Sequence, residues 1–418
     1  MIRIGIVGCG RILAAHLRGY RLLREAGIDN FRITALCARK ESDAQMYVRR
    51  GSGPPQRAAC SNIPGDPLAI DDEYLSDFQP DTDVQVFTDY RAMIASGAVD
   101  AVNDFSTHAL HHQVAETALT QGKHLLTQKP LAVTMAAGRK MCELAENRGL
   151  TFGVFENFRF APRTRQLRWL FDRDLPQGGA GGRLQMILLG YVGVWWAPDL
   201  VVAQTPWRHM LDEAGGISLD LGVHFFDQIR HVAGEIEKVS CRTAVLEPKR
   251  HILDAQGKRV QTIDCDADDT FCAQFTTVDR VSGNMFASWG GHGAPTLSGD
   301  GTVYYGSKCS ATGDIVTHDD RSQHSLTDLY IAANPDSAET HFPHGLTDSF
   351  ALSQLDWLEA VRQKKQPETD GWEGLRDLAA AFALLESAKL AQEVDVAEVF
   401  EGGLREYQRP IDAKFGLA

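Results

Sequence analysis

The stretch RIGIVGCGRILAAHL, Arg3 to Leu17, decides how the rest of the chain is read. Its apolar opening reads as a short buried strand, GCG as a turn, and ILAAHLRGYRLLREAG as a helix ended by Gly27. Gly8 permits the tight turn and Gly10 lets backbone approach a pyrophosphate. The helix start, with Arg11 and Ile12, offers free N–H groups at a positive dipole end. Leu13 occupies the third glycine position of G-x-G-x-x-G, so the motif is incomplete. The strand before it and the helix after it are the context that points to a dinucleotide rather than to a simple turn.

Outward from this stretch the pattern repeats. FRITALCA, the residues around Val84 to Phe87, VDAVNDFS, KHLLTQ and TFGVFEN read as strands. His108 to Thr120 and MAAGRKMCELAENRG read as helices between them. Apolar strands alternating with helices predict a parallel sheet covered on both faces. After Asn157 the texture changes: RLQMILLGYVGV, TFCAQFTTV and GNMFASWGG follow one another with few helices, which suggests antiparallel pairing. The expected fold is α/β, with a Rossmann dinucleotide-binding domain over 1–150. A C-terminal α+β domain over 151–418, with a large, mainly antiparallel sheet, would serve substrate binding and oligomerisation. The final helices, SFALSQLDWLEAVRQ and EGLRDLAAAFALLESAKLAQE, are candidates to pack back on the first domain. Residues 51–83, with Pro54, Pro55, Pro64, Pro67 and Pro80, read as an inserted surface excursion: a loop first, a lid or oligomer contact second.

The chain has 418 residues, which suits two domains, and a formal net charge of −13. That balance disfavours nucleic acid and anionic membrane as partners. No apolar run is long enough to cross a bilayer, and MIRIGIVGCG has no signal-peptide pattern, so a cytoplasmic location is expected. The eight cysteines include no C-x-x-C pair. Cys9, Cys37, Cys142 and Cys272 are expected as reduced core residues, and no metal site is expected. HALHH, His108 to His112, looks like a metal cluster but lacks further ligand spacing; it reads as a loop against cofactor, with Ser106 or Thr107 capping the helix.

Three places carry chemistry. At the end of the second strand, Cys37-Ala38-Arg39-Lys40 has no carboxylate at Ala38 and two cations after it. This would remove repulsion from a ribose 2′-phosphate and offer it a guanidinium, so NADP is preferred and NAD is the alternative, since Glu41 could still reach a ribose. In LLTQKPLAV, Lys129 sits at a strand end among apolar residues, a costly place for an ammonium unless it snorkels or meets an oxygen. In GGISLDLGVHFFDQIRHVAG, Ile217, Leu221, Phe225 and Ile229 form one stripe of an expected continuous helix. Asp220, His224 and Gln228 form a second. A carboxylate one turn from an imidazole suits general acid–base work, or is a plain helix-surface pair.

Together these segments resemble the Gfo/Idh/MocA oxidoreductase family. STHALH followed by QGKHLLTQKPLA is similar to the family's TP-x3-H and G-K-H-V-x-x-E-K-P segments, and AGGISLDLGVHFFDQIR to its GGG-x-L-x-D-x-G-x-H-x-x-D signature; TPWR and DTFCAQF also fit. The resemblance implies a catalytic group of Lys129, Asp220 and His224. Hydride would pass between a secondary carbinol carbon and the nicotinamide, His224 moving the hydroxyl proton and Lys129 binding the oxygen. It implies cofactor contacts from Ser106, Thr107, His111, Gln128, Trp207 and Arg208, and a cis peptide before Pro130. Sugars or polyols are the implied substrates, with Asn157, Arg159, Trp195 and Trp196 as candidate contacts, and a homodimer or homotetramer is the implied assembly. Departures are Gln128 for the usual glutamate, Ser106-Thr107 for TP, and Leu13. Competing functions are an enzyme that holds its nucleotide tightly for transient redox, in glycoside cleavage or sugar–sugar hydride transfer, and a nucleotide or sugar sensor without catalysis.

Overall fold

The computed structural model describes residues 1–417 except 60, 62–65, 67, 68, 194–196, 255 and 294–300. The chain divides into two compact units. The first comprises Met1–Ala132, Ala137–Phe160 and Phe342–Leu375; the second comprises Val133–Ala136, Ala161–His341 and Arg376–Ala418.

The first unit is built on β1 (Ile2–Val7), β2 (Phe31–Cys37), β3 (Gln85–Phe87), β4 (Ala101–Asp104), β5 (His124–Gln128) and β6 (Phe152–Phe155). These form one sheet in the order β3-β2-β1-β4-β5-β6, and every pairing is parallel. Ile6 and Val7, neighbours that point to opposite faces, are both buried, as expected for a strand covered on both sides. The helices are α1 (Leu13–Glu25), α2 (Glu41–Val48), α3 (Leu75–Phe78), α4 (Tyr90–Ala95), α5 (His108–Thr120) and α6 (Met135–Arg148). The strand order reverses between β1 and β4, which puts the glycine turn after β1 at the switch point where ligands bind in such sheets.

The excursion at 51–83 is more than surface. Glu73, Tyr74, Leu75, Phe78 and Gln79 are buried. The Gln79 carboxamide accepts from Ile33 N at 3.0 Å and donates to Ile33 O at 2.7 Å, so it pairs with β2 backbone as a strand would. Glu73 takes the Arg21 guanidinium at 2.8 and 2.9 Å. Proline content signalled a loop; the buried polar side chains make it a packed one.

The second unit contains α7 (Pro162–Leu170), α8 (Ile217–Asp220), α9 (Gly222–Ala233), α10 (Leu326–Ala333) and α11 (Ser337–Thr340). After α12 (Ser349–Gln363) of the first unit, α13 (Gly371–Leu390), α14 (Val396–Glu401) and α15 (Arg409–Phe415) end the chain; the first five residues of α13 count with the first unit. Its strands are β7 (Leu184–Val192), β8 (Ile236–Ala244), β9 (Lys249–Leu253), β10 (Arg259–Asp264), β11 (Thr270–Thr277), β12 (Ser282–Ser288), β13 (Val303–Gly306), β14 (Cys309–Thr312), β15 (Ile315–His318), β16 (Gln323–Ser325) and β17 (Val394–Asp395). Nine of them form a sheet in the order β16-β15-β14-β13-β7-β12-β11-β8-β17, antiparallel except for β12 with β7, while β9 and β10 pair separately. Alternation sets its two faces. Ile187, Phe271, Ala273, Met285 and Ala287 are buried, whereas Met186, Leu188, Phe286 and Cys272 face outward. Cys272, expected in the core, is therefore exposed: it opposes Phe286 on the outward face.

Candidate functional site

In the first unit the dinucleotide turn is shaped by two glycines used differently. Gly8 has φ +98°, and a Cβ there would lie 2.5 Å from the Phe105 carbonyl at the end of β4. Gly10 is exposed, and a Cβ on it would meet nothing within 4 Å. The protein leaves open space over Gly10, as close approach of a pyrophosphate requires. No side chain caps α1; its Leu13 and Ala15 N–H groups turn back to the Gly10 and Ile12 carbonyls, and the positive dipole end of the helix faces the turn. The residues present thus fit a dinucleotide. Ala38 is buried, while Arg39 and Lys40 are exposed at the end of β2.

Thr107 is at the N-cap of α5 but its side chain makes no capping bond, and Ser106 N–H instead donates to Asp104 Oδ1 at 3.1 Å. His111, expected to face cofactor, is 1% exposed. Its Nδ1 lies 3.0 Å from Pro130 O and 3.3 Å from Leu131 O, and its Nε2 3.4 Å from Ser106 O. The buried ring ties α5 to the segment after β5 through these backbone carbonyls.

Lys129 follows β5 and is half-buried, and its peptide to Pro130 is cis. Gln128 holds this corner: its Oε1 accepts from Lys129 N–H at 3.2 Å and its Nε2 lies 2.7 Å from His16 Nε2. His16 is fully buried and stacked on Phe105 at 3.5 Å. Burial holds its pKa well below the usual histidine range, so the ring is neutral and accepts from the Gln128 amide. Asn157 and Arg159, read as substrate contacts, are 7% and 5% exposed. Asn157 Nδ2 donates to Ser349 Oγ at 3.2 Å, and Arg159 pairs with Glu373 at 3.0 Å. Both bind the turn after β6 to C-terminal segments of the same unit. Trp195 and Trp196 lie outside the described residues.

In the second unit the expected continuous helix is two. α8 ends at Asp220, Leu221 takes φ −107°, and α9 begins at Gly222. Asp220 and His224 lie on either side of this break, 7% and 6% exposed. Asp220 Oδ2 accepts from Arg208 Nε at 3.0 Å. Arg208 also donates to Thr205 Oγ1 at 2.5 Å and lies over the Trp207 ring at 4.3 Å. Trp207 and Arg208, expected as cofactor contacts, pair with this carboxylate: the Arg208 guanidinium donates to Asp220, and the stack restricts the guanidinium. His209 is buried, its Nε2 accepts from Val202 N–H at 3.1 Å, and burial, then the Arg250 and Arg208 cations, push its pKa down to about 3.

Sequence reasoning missed Asp268. Its carboxylate accepts from Ser218 N at 3.1 Å and Ser218 Oγ at 2.7 Å, and its carbonyl accepts from Ile217 N at 2.9 Å. Gly216, at φ +109°, leaves room for it, since a Cβ there would lie 2.1 Å from Oδ1. The start of the helix that ends in Asp220 is therefore clamped by a buried acid 48 positions later than Asp220 in a run of aspartates; only that run in DCDADDT could have drawn attention to it. Among the described residues no three His, Cys, Asp or Glu side chains converge as metal ligands, and no helix is long and apolar enough to cross a membrane.

Comparison with known proteins agrees with this geometry. Residues 2–156 match the profile of an oxidoreductase family with an NAD-binding Rossmann fold, and residues 173–312 that of the GFO/IDH/MocA C-terminal domain. A D-apiose dehydrogenase from Paraburkholderia graminis is 23% identical over 94% of this chain and 88% of its own. A D-xylose dehydrogenase from Paenarthrobacter nicotinovorans is 28% identical, but the match spans about half of each protein, 48% of this chain and 51% of that one. Among solved structures, levoglucosan dehydrogenase in complex with NADH and levoglucosan shares the fold with a TM-score of 0.71 at 18% identity, covering 94% and 99% of the two chains. An oxidoreductase from Agrobacterium radiobacter, solved with NAD+, L-tartaric acid and magnesium, does so with a TM-score of 0.68 at 18% identity over 95% and 98%. With matches to both its Rossmann and its C-terminal domain profiles, the chain belongs to the Gfo/Idh/MocA family of oxidoreductases.

Proposed function

We propose that this protein is a nicotinamide-dependent dehydrogenase or reductase acting on a secondary alcohol or ketone of a sugar, polyol or related compound, with Lys129, Asp220 and His224 as its catalytic group. The observation that carries the reading is the dinucleotide turn, with open space over Gly10 in front of an uncapped helix. The sugar class is supported by the names of the relatives, D-apiose and D-xylose dehydrogenases. NADP is preferred because Arg39 and Lys40 are exposed at the end of β2 and Ala38 carries no acid.

When bound, the nicotinamide supplies the site that accepts or returns hydride. The remaining work falls to this chain's side chains. Lys129 binds the reacting oxygen through its ammonium and stabilises the negative charge that develops there. His224 takes the hydroxyl proton in oxidation and returns it in reduction. Asp220, held in place by Arg208, orients the imidazole and the substrate. Gln128 beside Lys129 adds no negative charge of its own. Homo-oligomerisation through the outward face of the large sheet is part of the proposal, since Met186, Leu188 and Phe286 expose 49%, 44% and 39% of their surface on adjacent strands. A cytoplasmic setting suits the free thiols of the seven described cysteines.

A nucleotide-coupled screen tests the reading. Purified protein is mixed with NADP or NAD and a panel of sugars and polyols, and reduced nicotinamide is followed by absorbance. Turnover that Lys129→Ala lowers by about a thousandfold or more, with nucleotide affinity within about threefold, is the expected result. Turnover with NAD alone removes the NADP preference. Bound nucleotide without net turnover removes the dehydrogenase reading, in favour of transient redox if the nucleotide does not dissociate and of a sensor if it exchanges.

A further inference from the structure

The dinucleotide turn must direct N–H groups at its ligand, and a trans peptide points its C=O the opposite way from its N–H. Fixing a carbonyl behind the turn therefore aims the following N–H in front of it. The Cys9 carbonyl shares a peptide plane with the Gly10 N–H, and the Gly10 carbonyl with the Arg11 N–H. Both carbonyls are held. Arg57 donates to Cys9 O at 3.0 Å, and the Tyr47 hydroxyl donates to Gly10 O at 2.8 Å.

Tyr47 belongs to α2, but Arg57 belongs to the excursion at 51–83. Its guanidinium spans two elements: one arm reaches Cys9 O, the other Asp43 Oδ1 of α2 at 2.5 Å, and Met46 Sδ lies 3.7 Å away. The neighbouring residues anchor it. Gln56 donates to Met46 O at 3.2 Å and to Glu73 O at 2.6 Å, and Arg11 in turn donates to the Ala58 carbonyl. Asp43 neutralises Arg57 on the α2 side, so the fork acts here by direction rather than as a free cation.

We propose that Arg57 is a positioning residue for the dinucleotide turn: with Tyr47 it fixes two consecutive peptide planes so that the Gly10 and Arg11 N–H groups face the pyrophosphate, making the excursion part of the cofactor apparatus. The inference rests on the dinucleotide reading above and adds a role for a segment outside the glycine motif. It predicts that the pyrophosphate, common to every dinucleotide and to ADP-ribose, feels the loss, whatever the ribose carries.

The test is equilibrium binding of NADPH, NADH and ADP-ribose to the full chain, by nicotinamide fluorescence and calorimetry, with thermal melts of the unliganded protein alongside. Arg57→Ala is expected to weaken all three ligands by about tenfold, and Arg57→Lys, which keeps one donor, to recover at least half of that loss on a logarithmic scale. Tyr47→Phe, which removes only a hydroxyl, is expected to weaken all three by about threefold to tenfold and keeps the test decisive if Arg57→Ala does not fold. Binding by the unaltered chain that Arg57→Ala and Tyr47→Phe leave within twofold, with only the melting temperature lowered, overturns the positioning role. A loss confined to NADPH also overturns it, since that would assign Arg57 to the 2′-phosphate. If the unaltered chain binds none of the three, the dinucleotide reading itself falls.

Discussion

The buried acid behind α8 sets up a quantitative prediction. Asp268 is 6% exposed, and burial, outweighing the bonds from Ser218, raises its pKa from 3.8 to about 6. That rise corresponds to about 3 kcal/mol in favour of the protonated form. Because the folded value lies above the unfolded one, the associated stability is present at pH below about 4 and is lost as pH rises through about 6. Integrated over the two titrations, the cost of the ionised group is about 1 kcal/mol at pH 4.5 and about 3 kcal/mol at pH 7.5. Asp268→Asn keeps an oxygen to accept from Ser218 N–H and Oγ–H while removing the charge. Relative to the parent, the variant should therefore gain about 2 kcal/mol more at pH 7.5 than at pH 4.5. For a unit of this size that is about 4–8 °C in melting temperature. Paired melts of parent and variant at the two pH values give the number, and titrations shared by both proteins cancel in the comparison. A variant whose shift is the same at both pH values, or smaller at pH 7.5, would refute the buried-carboxylate argument.

Two further outcomes follow from the first unit. Gln128→Glu replaces the amide that donates to neutral His16 with a group that can donate only when protonated. The variant should lose about 1–3 kcal/mol at pH 8 and recover part of it at pH 5, read from melts at the two pH values. Trp357→Phe removes the Nε1 donor to Leu125 O at 3.0 Å from a fully buried side chain packed on Gly153, and should cost about 2–4 kcal/mol in denaturant titrations while leaving the helix content by circular dichroism unchanged.

Elements governed by local pattern were legible in the sequence. The reading of His108 to Thr120 as helix coincides with α5, and SFALSQLDWLEAVRQ is α12 residue for residue, because each opens at a polar N-cap residue, Thr107 and Asp348. The break at Leu221 was hidden for the opposite reason. The stripe Ile217, Leu221, Phe225, Ile229 keeps helical spacing straight through it, so one residue at φ −107° leaves no mark on the pattern. Cys272 misled because cysteine is among the residue types most often buried, although alternation groups it with Gln274 and Thr276 on the outward face of its strand. The polar mounts were out of reach altogether. Arg208 with Asp220, Asp268 with Ser218, His16 with Gln128 and Arg57 with Cys9 pair across 12, 50, 112 and 48 positions, and hydrogen bonds between such distant residues leave no spacing rule to read. Where the sequence reading expected ligand contacts at Arg208, His111, Asn157 and Arg159, the structure gives each a protein partner: polar residue types near a functional motif are as readily recruited to hold it as to touch substrate.

The three-part composition of the first unit has a consequence for biosynthesis. Its sheet is encoded by residue 155, yet Phe342–Leu375, which includes the Trp357 staple on β5, belongs to the same unit. At ordinary elongation rates of about 5–20 residues per second, the ribosome needs roughly 10–40 s to travel from Phe160 to Leu375. For that interval the nascent parallel sheet waits without its last helix, while most of the second unit emerges. The interval is a window for chaperone capture, and a truncation after residue 160 would make it permanent.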